Sequence, residues 1–131
     1  MIVGVAHVAL LVRDHEEAKR FYCGKLGFRV AEDSVAPSGK TWIRLAAPGG
    51  GGTDVLLSLA AGAEQLATVG RQAAGRVFLF LHTDDLLADY EELRSRGVEF
   101  TEEPRSEPYG QVAVFKDLYG NRIDLIQPKV P

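Results

Sequence analysis

Cysteine is nearly absent: Cys23 is alone in 131 residues. A single thiol cannot close an internal disulfide, so the fold must rest on packing, which fits a reducing, cytoplasmic setting. No His or second Cys lies close to it in sequence, and Cys23 reads as a small hydrophobe on a helix rather than a reactive thiol. Basic excess is also missing. Fifteen Lys and Arg against eighteen Asp and Glu give a net charge of −3 and a pI near 5.6. No basic stripe exists to neutralise phosphates, so nucleic acid is not an expected partner. Long apolar runs are lacking too. Val8 to Val12 and Val77 to Leu81 are far too short to cross a bilayer, and no membrane association is expected. The opening Met1-Ile2-Val3-Gly4-Val5 has no charged leader or cleavage pattern and is expected to enter a strand directly.

What the chain does contain is the same unit twice. Asp14-His15-Glu16-Glu17-Ala18 opens a helical pattern ending at Leu26-Gly27-Phe28; Asp84-Asp85-Leu86-Leu87-Ala88 opens another ending at Arg96-Gly97-Val98. An offset of 70 relates the two, and it also relates the apolar runs before each helix, His7–Val12 and Val77–His82. An internal repeat fixes the architecture before any single element does. Each copy reads as β-α-β-β-β, with module one near residues 4–60 and module two near 76–127. Together they predict one α+β domain spanning 1–131: a curved mixed sheet around a cavity, with helices on the outer face.

Within module one, Val5–Val12 is an expected strand, and Asp14 an N-cap with Glu16 and Glu17 at the positive helix end. Ala18, Phe21, Tyr22 and Leu26 form its apolar stripe. Further strands are expected at Phe28–Glu32, Thr41–Ala46 and Thr53–Leu59. The glycine run Gly49 to Gly52 leads into a strand rather than a helix, so it is a flexible hairpin connection and not a phosphate loop. A short helix is expected around Ala63–Val69. In module two, strands are expected at Val77–Leu81, Val98–Glu102, Gln111–Phe115 and Arg122–Gln127, with a helix over Asp85–Arg96. Pro104–Tyr109 reads as a rigid loop.

The segments Val5-Ala6-His7-Val8-Ala9-Leu10-Leu11-Val12-Arg13-Asp14 and Phe21-Tyr22-Cys23-Gly24-Lys25-Leu26-Gly27-Phe28 resemble the vicinal oxygen chelate superfamily of glyoxalase I, bleomycin-resistance proteins and extradiol dioxygenases. So do Tyr90 to Phe100 and Phe115-Lys116-Asp117-Leu118-Tyr119-Gly120-Asn121-Arg122-Ile123-Asp124-Leu125. The resemblance covers nearly the whole chain but leaves the reaction open, because the superfamily hosts several chemistries. It implies metal ligands on the first and last strands of each copy. His7 and Asp124 occupy two of those positions; Val77 and Leu56 occupy the other two. Half a ligand set argues against an obligatory metal. His7 and Asp124 could still hold Ni, Zn, Fe or Mn weakly, or act as an acid–base pair without metal.

Other candidates are contacts to a ligand. Trp42 and Arg44 share one strand face, where an aromatic beside a guanidinium could take a planar anion. Gln72, in the seam between copies, and Tyr109, beside Arg105 and Glu107, could reach a cavity. His82 is expected on the opposite face of its strand from Val77, as the homologue of Val12. Two function classes follow. One is a small-molecule-binding protein with a mostly apolar cavity and no obligatory metal. The other is a metal-assisted lyase, isomerase or dioxygenase acting on vicinal oxygens through His7 and Asp124. The resemblance further implies a homodimer.

Overall fold

The computed structural model describes residues 1–129. The chain folds as two compact units, the first spanning residues 1–69 and the second beginning at Gly70. The first contains β1 (His7–Val12), α1 (His15–Tyr22), β2 (Arg29–Val35), β3 (Thr41–Ala46), β4 (Asp54–Leu59) and α2 (Gly62–Thr68). The second contains β5 (Val77–His82), α3 (Leu86–Ser95), β6 (Glu99–Phe100), β7 (Arg105–Glu107), β8 (Gly110–Lys116) and β9 (Arg122–Pro128). Each unit builds β-α-β-β-β around its own mixed sheet, with α2 appended in the first and the short β7 inserted in the second. The strand orders are β1-β4-β3-β2 and β5-β9-β8-β6, with β7 also on β8. The expected α+β fold of tandem modules is present, with one mixed sheet per module.

Side-chain alternation sets the two faces of each sheet. In the first, Leu10, Val12, Ile43, Leu45, Val55 and Leu57 are buried, as are Ala18, Phe21 and Tyr22 of α1. In the second, Phe115, Ile123 and Leu125 are buried together with Leu86, Tyr90 and Leu93 of α3. Gln127 ties helix to sheet, its Oε1 accepting from Leu86 N at 2.8 Å. The opposite faces carry the polar candidates.

The helix ends follow from their sequence. Asp14 accepts from Glu17 N at 2.9 Å, and Asp85 accepts from Ala88 N at 3.1 Å. Both supply the carboxylate a first turn needs. Gly27 and Gly97 sit just beyond the helices at φ of +81° and +85°, a region open to glycine. These glycines keep the offset of 70, but the caps differ by 85 − 14 = 71. The discrepancy has a local cause. β5 has two residues opposite one of β9, because Val77 pairs with Arg122 and Leu79 with Ile123. Phe78 is the extra residue of a β-bulge.

Three expectations need correction. Pro104–Tyr109 is not all loop: Arg105–Glu107 is an edge strand paired to β8. Pro104 and Pro108 bracket that ladder rather than interrupt it, which an edge strand tolerates. His82 does not oppose Val77, because the bulge shifts the alternation between them. It pairs with Ile126, on Asp124's face, and its structural counterpart is Leu11. Third, the first strand starts at His7 rather than Val5.

Candidate functional site

On the first unit, the face away from α1 gathers His7, Trp42, Arg44, Asp54 and Leu56. Register makes this so: His7 pairs with Asp54, Ala9 with Leu56, and Leu56 with Arg44. The His7 and Trp42 rings meet edge to face, 6.1 Å between centroids at 85°. Both are half-buried. Lys40 places its ammonium 5.7 Å from the Trp42 centroid. Arg44 is committed on both sides: it pairs with Asp54, and its Nε donates to Glu32 Oε1 at 3.4 Å. The expected side-by-side placement of Trp42 and Arg44 is present. The guanidinium is already matched by two carboxylates, so it is not a ready seat for a planar anion.

On the second unit, the face away from α3 carries Phe80, His82, Val112, Val114, Asp124 and Ile126. Phe80 pairs with Asp124, which pairs with Val114; His82 pairs with Ile126, which pairs with Val112. Asp124 is 8% exposed, and its Oδ1 is buried without a hydrogen-bond partner among the described residues. Burial pushes its carboxyl above the ordinary range, opposed by the charge of Arg105. Arg105 is itself bound to Glu102 and, at 2.8 Å, to Glu107. Phe80, Asp124's neighbour, is 64% exposed. A buried acceptor with an open aromatic surface beside it is the strongest chemical oddity in the chain.

The remaining candidates lie apart from these clusters. Tyr109 is exposed in the two-residue turn between β7 and β8. Gln72 is half-buried at the start of a turn in the second unit. A cleft of about 450 Å³ in the first unit is lined by Arg13, Asp14, His15, Glu16 and Asp33, among others; one of about 380 Å³ in the second is lined by Glu107, Gln111 and Gln127, among others. Neither cleft includes His7, Trp42, Arg44 or Asp124. Sequence reasoning missed Glu32, Asp54 and Phe80. Their signal is strand register, which one sequence does not print.

The model of the Glyoxalase/Bleomycin resistance protein/Dioxygenase superfamily matches residues 4–125. The chain belongs to this superfamily. It is 46% identical over 124 residues to an uncharacterized protein of Shewanella frigidimarina (strain NCIMB 400), covering 94% of this chain and 92% of the relative. Among solved structures, it is similar to UcmS2, with a TM-score of 0.82 and 31% identity over 96% of this chain and 98% of that one. It is also similar to TnmS3, an antibiotic binding protein from Streptomyces sp. CB03234. That match has a TM-score of 0.81 and 34% identity, covering 98% of each chain.

The superfamily often uses divalent metals, and the donor set decides whether such an ion fits here. Leu56 is buried and Val77 is apolar at the two strand positions where the resemblance implies the remaining ligands. Among the described residues, no three His, Cys, Asp or Glu side chains form a group able to hold a metal. These residues do not fit the superfamily's usual site.

Proposed function

We propose that this superfamily member binds a small organic molecule at the sheet faces turned away from its helices, with no obligatory metal. The observation that carries this reading is Asp124. A buried carboxylate with an unpartnered oxygen costs stability, and a donor on a bound molecule would recover that loss. Phe80, exposed beside it, supplies apolar surface, with Val112 and Val114 packed beneath. Trp42 and His7 supply an aromatic corner on the first unit. Apolar walls with a few placed polar groups are what small-molecule sites share. The likeness to an antibiotic binding protein at 34% identity supports the same reading.

A homodimer in which His7, Trp42, Arg44, Gln72, Tyr109 and Asp124 contribute to shared sites is part of this proposal. The test is a thermal-shift screen of aromatic and antibiotic-like compounds, followed by calorimetry on the hits. Asp124→Ala and His7→Ala are each expected to weaken binding at least about tenfold, a loss of ~1.4 kcal/mol. Unchanged binding in both variants would place the ligand elsewhere.

A further inference from the structure

We infer that Trp42 is a cation–π seat for an organic cation, occupied by the Lys40 ammonium while no ligand is bound. The inference rests on the small-molecule-binding reading and names a ligand class for it. Trp42 is half-buried within β3, and the His7 ring packs against it at an interplanar angle of 85°, so the indole is held in place. The Lys40 ammonium lies 5.7 Å from the ring centroid, within the range where the ring quadrupole attracts a cation. Lys40 belongs to the exposed connection between β2 and β3 and is itself exposed, so its side chain can withdraw.

The charges beside the ring favour the same class. Glu32 and Asp54 both bind Arg44, so this triad carries two negative charges against one positive. Glu32 Oε2 also accepts from Ser34 Oγ at 3.0 Å, and Ser34 is the cross-strand partner of Trp42. The surplus carboxylate therefore lies on the strand next to the ring. When Lys40 leaves, an incoming ammonium or quaternary nitrogen replaces its charge over the indole. An aromatic carboxylate meets Arg44 already matched and a surplus negative charge beside it. Lys40 is thus an internal competitor, and removing it should expose the preference.

The test is calorimetry at pH 7.5 with three probes of one ring system: N-methylquinolinium, quinoline and quinoline-4-carboxylate. In the native chain, the cation is expected to bind at least about threefold tighter than the carboxylate. Lys40→Gln is expected to tighten cation binding about three- to tenfold and to weaken carboxylate binding. Trp42→Leu should abolish the difference between cation and neutral ring. Lys40 is exposed, so Lys40→Gln keeps the experiment decisive even if Trp42→Leu folds poorly. Cation binding unchanged or weakened in Lys40→Gln, or a carboxylate preferred by the native chain, would overturn the inference. Quinoline binding without the cation would overturn it and leave the small-molecule reading standing. Failure of all three probes, together with an empty thermal-shift screen, would end both.

Discussion

Replacing Asp124 with asparagine should stabilise the unliganded protein at neutral pH. Asp124 is buried, and its Oδ1 has no partner among the described residues. A buried acceptor left unpaired costs about 1–3 kcal/mol, and more when charged. Asparagine keeps the shape and removes the charge, but its amide hydrogens need acceptors and return part of the gain. The net expectation is about 1 kcal/mol of added stability, or roughly 3–5 °C for a chain of this size. The pH dependence has a fixed sign. Burial raises the carboxyl above its ordinary value of 3.8, with Arg105 opposing. Between the unfolded and the raised folded value, the folded chain holds the proton more firmly than the unfolded chain. The penalty is therefore complete above the folded pKa and vanishes as pH falls below the unfolded one. Urea unfolding of both proteins from pH 7.5 down to pH 4 measures this directly. The gap should be widest at neutral pH and close on acidification. A variant less stable than the native chain at pH 7, or a gap that ignores pH, would refute the reasoning.

Asp117→Ala should cost about 2–4 kcal/mol in urea unfolding, because the buried carboxylate accepts from Tyr119 N, Asn121 N and Asn121 Nδ2, each at 2.9 Å. Gly110→Ala should destabilise by at least about 1 kcal/mol, read as a lower midpoint of thermal unfolding. Its φ is +147°, and an added Cβ would stand 2.2 Å from the Gln127 carbonyl oxygen. Cys23 should react with an aromatic disulfide reagent at pH 7 roughly tenfold more slowly than free cysteine, and regain normal reactivity in denaturant. Burial raises its thiol pKa, opposed by the Lys19 charge.

The repeat was legible because its punctuation is chemical. Asp14 with Gly27, and the later Asp85 with Gly97, mark helix ends that only a few residue types can make. The β-bulge at Phe78 was not legible. Val-Phe-Leu-Phe-Leu-His alternates no property that would reveal an extra residue, so the offset of 70 hid a 71 and sent His82 to the wrong face. β7 was missed for a different reason: two prolines within five residues read as a loop when they only bracket an edge strand. Asp124 stood out because a charge inside Ile123-Asp124-Leu125-Ile126 breaks an apolar run. Arg44's two partners lay 10 and 12 residues away, so only the register of β2, β3 and β4 shows that its charge is already matched.

The most direct test of the central claim is the metal content of untagged protein, followed by calorimetric titration of thermal-shift hits with and without EDTA. Titrations with Ni(II), Zn(II), Fe(II) and Mn(II) complete the measurement. The expected result is no stoichiometric metal and ligand binding indifferent to the chelator. One tightly held ion per chain, lost in His7→Ala and required for ligand binding, would contradict the account and restore metal-assisted chemistry on vicinal oxygens.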